Sequence, residues 1–263
     1  MCIICKNEYN INISELDCDG CDIIKEIPNT LINLFKLDCD SCKNLINIPK
    51  ELVNLEELSC SYTKIKDIPK ELINLEFLYC DNTDVKKIHK ELKKLKKLSC
   101  CDTNITYISK EFINLKWLCC TSCKNIKKIP KEFIKLECLE CFSNININEI
   151  PKELINLKYL LCMNTGITEI PKELIKLEEL YCKLNINEIP KELINLSYLY
   201  NNNETICHKK VIHILLNELY IKKRLSRLYF YKTKRYEILW KIAEYYTAKK
   251  YHPNNILNYI DFK

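Results

Sequence analysis

The sequence predicts an α/β solenoid: short coils stacked along one axis, a curved parallel β-sheet on the concave side, and a C-terminal helical segment. Three observations predict it. The string Ile-Pro-Lys-Glu-Leu, or a close relative, starts at Ile27, Ile48, Ile68, Ile88, Ile108, Ile129, Ile150, Ile170 and Ile189, at intervals of 19 to 21 residues. A cysteine column runs in phase with it: Cys18, Cys39, Cys60, Cys80, Cys100, Cys120, Cys141, Cys162 and Cys182, with Asn201 in the tenth copy. Both signals stop after Asn203, where a basic, aromatic-rich segment begins. A coil of this length cannot bury its own apolar side chains, so it is stable only when stacked on its neighbours.

Each part of the unit has a physical reading. One copy runs Leu55-x-x-Leu58-x-Cys60-x-x-Thr63-x-Ile65-x-x-Ile68-Pro69-x-x-Leu72. Around Leu58 and Cys60 the side chains alternate inward and outward, as in a short strand. Pro69 follows a bend and blocks continuation of the strand. Lys70-Glu71-Leu72-x-x-Leu75 returns on the outer side with the spacing of a helical turn. The cysteine serves as a small buried apolar side chain. His89 and Ser109 replace the proline in two copies, and His89 is expected at the surface.

This unit resembles the leucine-rich repeat, L-x-x-L-x-L-x-x-N-x-L, with cysteine at the third leucine and Thr, Cys or Asn at the asparagine position. The resemblance covers about residues 11–203 in roughly ten copies. Residues 1–10 are then an N-terminal cap segment and 204–263 a helical C-terminal unit. The short unit and its Ile-Pro segment are similar to the short-repeat branch of the family. The resemblance implies a leucine-rich repeat solenoid that works through the outward strand positions of its concave face. It implies a protein-binding scaffold without catalysis or cofactor.

Composition removes several function classes. The 263 residues contain two glycines, Gly20 and Gly166, too far apart for a P-loop or a G-x-G-x-x-G turn. No apolar run approaches the roughly 18 residues of a membrane span. Met1-Cys2-Ile3-Ile4-Cys5-Lys6 lacks the apolar core of a secretory leader, so a cytoplasmic location with reduced thiols is expected. The formal charge is +6 overall and +9 between Thr205 and Lys263, which leaves −3 for the repeats.

The cysteine pairs Cys18/Cys21, Cys39/Cys42 and Cys120/Cys123 each read C-x-x-C. With Cys2/Cys5 the first pair gives C-x2-C-x12-C-x2-C, near a zinc-ribbon spacing. The preferred reading is structural, and no metal is assigned. Thr and Asn take the second position in other copies, which a packing or loop-bonding column tolerates and a metal site does not. Only Cys2/Cys5 stands outside the repeat grid, so any zinc would sit at the N-terminal end. Stacked in-register cysteines are expected to remain thiols, because adjacent strands lie about 4.8 Å apart with parallel Cβ directions.

The outward strand positions flank the second leucine and the cysteine of each copy. The first copies place Glu15, Asp17, Asp19, Asp38, Asp40 and Glu57 there, an acidic end suited to a basic partner surface. Later copies place Phe77, Tyr79, Trp117, Phe142, Tyr159, Leu161, Met163, Tyr181, Tyr198 and Tyr200 there. An aromatic and apolar stripe on a face that meets water marks an interaction site. Strand preference for aromatics, or cover by the C-terminal segment, is the bland alternative. The outer side, rich in Lys, Glu and Asn, reads as solvated.

Helical spacing appears at Val211–Leu219 and Tyr236–Tyr246, and Pro253-Asn254 starts a last short helix through Ile260. A helical cap closing the open end of the solenoid is the favoured reading. Basic residues among aromatics also suit nucleic acid or an anionic membrane surface. Cys207-His208 with His213 is the one arrangement that resembles a nucleophile pair. Some bacterial proteins with similar short repeats carry a ubiquitin-ligase domain with a catalytic cysteine, but this tail is far shorter and shows no matching motif. An adaptor recruiting ligase machinery stays open beside plain scaffolding. Abundant Asn, Ile, Lys and Tyr, with the cysteine-bearing repeat, make the chain similar to the leucine-rich repeat proteins of giant DNA viruses, which implies action in host cytoplasm.

Overall fold

A computed structural model describes residues 2–6, 9–182 and 189–201. The helices expected in the C-terminal unit, with Cys207, His208, His213 and His252, lie outside the described residues. Ten short strands follow in chain order: β1 (Glu15–Asp17), β2 (Lys36–Asp38), β3 (Glu57–Ser59), β4 (Phe77–Tyr79), β5 (Lys97–Ser99), β6 (Trp117–Cys119), β7 (Cys138–Glu140), β8 (Tyr159–Leu161), β9 (Glu179–Cys182) and β10 (Tyr198–Asn201). They form one parallel sheet in sequence order. The register pairs Leu16 with Leu37, Leu37 with Leu58, Leu58 with Leu78, and so on to Leu180 with Leu199.

Strands β1 to β9 bury their central leucine and turn the residues on either side of it outward, while Leu199 of β10 is half-buried. Backbone bonding between coils continues past the strand, with Cys39 N donating to Ser59 O at 2.8 Å and Cys60 N to Tyr79 O at 2.9 Å. The chain then turns through a left-handed residue at the same place in successive copies: Gly20, Ser41, Tyr62, Asn82, Asp102, Ser122, Ser143 and Asn164. Their N–H groups still reach the next coil, as from Gly20 to Asp40 O at 2.9 Å. Glycine is suited to this conformation in the first copy, and Asn and Asp tolerate it next best. Gly166 is required for another reason, since a Cβ there would stand 2.9 Å from the Ile145 carbonyl.

The helical turn expected on the outer side is a pair of tight turns. Leu72 N donates to Pro69 O at 3.2 Å, and Leu75 N to Leu72 O at 3.1 Å. Only the carbonyl of the proline is used, which explains how His89 and Ser109 can replace it. Leu92 N donates to His89 O and Phe112 N to Ser109 O in the same way. His89, expected at the surface, is half-buried there. Its side chain is 17% exposed and its Nε2 lies 3.1 Å from Asp67 Oδ1 of the preceding coil.

The leucine and isoleucine columns fuse into one continuous core, and Phe112 and Phe133 take leucine positions without exposure. Each such buried side chain contributes roughly 1.5–3 kcal/mol. The cysteine column runs through this core as unbridged thiols, in agreement with expectation. The thiols also donate between coils, Cys39 Sγ to Ser59 O at 3.2 Å and Cys60 Sγ to Tyr79 O at 3.4 Å. Burial pushes Cys39, Cys60, Cys80, Cys120 and Cys141 well above the ordinary thiol range, so they stay protonated donors.

The second column of each C-x-x-C pair is a loop-bonding column, as the interchange with Thr and Asn suggested. Thr63, Thr83, Thr103 and Thr165 are buried and donate to the carbonyl of the cysteine three residues before. Cys42 and Cys123 reach back one coil, to Cys18 O at 3.0 Å and Cys100 O at 2.8 Å, and Asn144 Nδ2 reaches Cys120 O at 2.7 Å. On the outer turns Asn54, Asn74, Asn114, Asn156 and Asn195 form a second inter-coil ladder, each donating to a carbonyl of the preceding coil. The outer asparagines are therefore structural.

Candidate binding surface

Three parallel rows of outward side chains line the sheet, because each strand contributes a residue before the buried leucine, one after it, and one after the cysteine. Phe77, Tyr79, Trp117, Phe142, Tyr159, Leu161, Met163, Tyr181 and Tyr198 all stand on these rows, half-buried. Tyr200 pairs with Tyr181 along the backbone of β10 and β9. The aromatic residues gather into two groups. Tyr159, Tyr181 and Tyr198 stack across three coils with ring centroids 5.3 and 5.1 Å apart. Tyr79 and Trp117 approach to 6.4 Å across β5, and Lys97 Nζ lies 5.9 Å from the Phe77 ring centroid. Stacked rings hold one another in place and still offer an edge or face to solvent. Partial burial raises the Tyr79 and Tyr159 phenols, so both remain neutral hydrogen-bond donors.

The acidic end is less free than its composition suggests. Lys36 stands within it on β2 and pairs with Glu57 at 3.1 Å. Asp17 Oδ1 accepts the Asp19 N–H at 3.0 Å and Asp38 Oδ1 the Asp40 N–H at 3.1 Å, so these carboxylates brace the turns after β1 and β2. Asp40 braces the next coil by accepting the Ser61 N–H. Asp38 is raised above the usual carboxylate range by desolvation, opposed by its Asp40 N–H bond, and raised further by the charges of Asp40, Asp17 and Asp19. A row of carboxylates that repel one another still presents a negative field at this end of the sheet.

Sequence reasoning missed two features. Cys101 and Cys119, in adjacent coils on the sheet face, bring their sulfurs to 2.8 Å. On the turns before the strands, Ile32, Val53, Ile73, Ile113, Ile134, Ile155, Ile175 and Ile194 form an exposed β-branched ridge. The signal was present as the residue after the Leu or Phe that closes the Ile-Pro-Lys-Glu-Leu string, interrupted by Lys93 in one copy, but the polar neighbours masked it. Among the described residues no helix is long and apolar enough to cross a membrane.

No family profile and no curated protein matches the chain. Solved structures do. The functional domain of InlJ from Listeria monocytogenes, described as including a cysteine ladder, is 23% identical with a TM-score of 0.52, over 65% of this chain and 44% of that one. The Arabidopsis receptor kinase HAESA, solved with the peptide hormone IDA and the co-receptor SERK1, is 19% identical with a TM-score of 0.52, over 73% of this chain and 46% of that one. The LRR ectodomain of the Arabidopsis thaliana receptor kinase GASSHO1/SCHENGEN3 is 21% identical with a TM-score of 0.47, over 67% and 28%. The chain thus spans less than half the length of these proteins. The likeness, with the ten-stranded parallel sheet, makes the fold a leucine-rich repeat solenoid.

Proposed function

We propose that this leucine-rich repeat solenoid is a non-catalytic scaffold that captures a protein partner on its concave sheet face. The observation that carries the reading is the pair of ring clusters, Tyr159–Tyr181–Tyr198 and Tyr79–Trp117, held half-exposed on outward rows. Rigid aromatics lose little side-chain freedom on binding and bring large contact areas, which is why they dominate hot spots. The acidic residues Glu15, Asp17, Asp19, Asp38 and Asp40 would then orient a basic patch of the partner at the N-terminal end. HAESA was solved holding a peptide hormone, which supports a protein or peptide partner for this fold.

Affinity purification of the full chain from cells tests the reading, with Trp117→Ala/Tyr159→Ala alongside wild type. A partner set captured by wild type and lost from the double variant is expected. Equal capture by both refutes it. The basic segment 205–263 supplies the rival reading, a tail that binds nucleic acid or an anionic surface. Deleting that segment leaves capture intact on the scaffold reading and abolishes it on the rival one.

A further inference from the structure

The N-terminal turn brings together sulfurs that the repeat does not require. Lys6 N donates to Cys2 O at 3.2 Å, closing a turn that carries Cys2 and Cys5. Cys5 Sγ lies 3.7 Å from Cys2 Sγ and 3.5 Å from Cys21 Sγ, and all three sulfurs lie within 4.8 Å of one another. Cys18, a buried thiol, precedes Cys21 by three residues on the same first coil.

Cys21 differs from its counterparts for a topological reason. Cys42 and Cys123 engage a carbonyl of the coil before them, Cys18 O and Cys100 O. Cys21 belongs to the first coil, and its sulfur faces the terminal turn instead. There it meets Cys5 Sγ at 3.5 Å. Among the described residues the packing column becomes a donor set at this end, where Cys2 and Cys5 complete it.

We propose that Cys2, Cys5, Cys18 and Cys21 bind one zinc ion as a tetrahedral thiolate site that staples the N-terminal turn to the first coil. The three clustered sulfurs of Cys2, Cys5 and Cys21 fit the ion, since with Zn–S near 2.3 Å the edge of a tetrahedron of sulfurs is about 3.8 Å, and Cys18, a thiol of the same coil, is added as the fourth. A disulfide needs its sulfurs near 2.05 Å and would use only two of the four. The donor set contains neither oxygen nor nitrogen, so it selects a soft d10 ion against magnesium, calcium or manganese. Binding releases the thiol protons that remain, so occupancy falls as the medium is acidified. A solenoid must close its first coil, and Cys2, Ile4, Cys5, Tyr9 and Ile13 pack there against the core. An ion at this point would make the cap a cross-linked one.

The test uses the full chain, purified under reducing conditions and reconstituted with zinc alone. One zinc per chain is expected by elemental analysis. Cobalt substitution should give the visible d–d bands of a tetrahedral thiolate site. Cys2→Ser/Cys5→Ser should lose the ion, whereas Cys42→Ser, within the core column, should keep it. Chelation of the wild-type protein should lower its melting temperature, a readout that needs no variant. Less than a tenth of an equivalent of zinc after reconstitution overturns the proposal. So does zinc retained by the double variant, or a Cys2–Cys5 disulfide that persists in reductant.

Discussion

Cys101 Sγ and Cys119 Sγ stand 2.8 Å apart on the sheet face, closer than two thiols in ordinary contact. They sit on different rows of adjacent coils, one after the ladder cysteine and one before it. The diagonal lets their Cβ directions converge where the in-register ladder thiols run parallel. The contact with Cys101 holds Cys119 low against its own desolvation and the charge of Glu140. Diamide, which takes up the two electrons and two thiol protons, should therefore join Cys101 and Cys119 first. Peptide mapping should find this bridge before any among Cys39, Cys60, Cys80 and Cys100. Earlier bridging within the ladder would contradict the geometry.

Tyr62 holds a left-handed backbone, φ 58°, while its ring is 60% exposed. A residue with a Cβ loses about 1–2 kcal/mol in this conformation relative to its right-handed alternative. Tyr62→Gly should therefore stabilise the protein by roughly 1 kcal/mol after the added chain entropy of glycine is counted. Denaturant titration checks it. A loss of stability would show that the exposed ring makes contacts that outweigh the backbone strain.

Asp38 gives a prediction with a defined pH sign. Its folded pKa lies above the unfolded value, so its ionised form opposes folding once pH exceeds the folded pKa. Asp38→Asn can still accept the Asp40 N–H and removes the charge. It should stabilise the chain at neutral pH by roughly a few tenths of a kcal/mol after screening by solvent. The gain should fade as pH drops through the carboxylate range, where the wild-type group protonates. A gain that grew on acidification would contradict the sign.

Thr103 tests the loop-bonding column. Its buried hydroxyl donates to Cys100 O at 2.6 Å and stands 3.4 Å from Cys123 Sγ. Thr103→Val keeps the shape and removes the hydroxyl, and should cost about 0.5–1.5 kcal/mol, because Cys123 Sγ still donates to Cys100 O. Thr103→Ser should recover most of the loss. Equal melting temperatures for threonine and valine would mean that the column only fills space.

The period of the repeat made the columns legible. Leu16, Leu37 and Leu58 fall in phase, as do Cys18, Cys39 and Cys60, and the structure buries all of them. The outward rows were legible for the same reason, since a strand alternates its faces. Pairings that depend on the offset between coils were not. Trp117 meets Tyr79 across an intervening strand, Cys101 meets Cys119 on a diagonal, and Asp67 meets His89 one coil on. Sequence phase assigns a residue to a column but does not give the rotation and shear between coils that decide such contacts. The charge of the acidic end was visible, whereas Lys36 and the backbone bonds of Asp17 and Asp38 became apparent only from the side-chain geometry.

The central claim is that the in-phase thiols form an interior column and so fix the rows that face outward from the sheet. Native alkylation with mass-spectrometric readout, on the reduced and metal-free chain, tests it most directly. Cys101 and Cys138, half-buried on the sheet face, should react well before Cys39, Cys60, Cys80, Cys100, Cys120 and Cys141, which should react only on unfolding. Ladder thiols that react under native conditions as fast as Cys101 would contradict the stacked coil and the surface built on it.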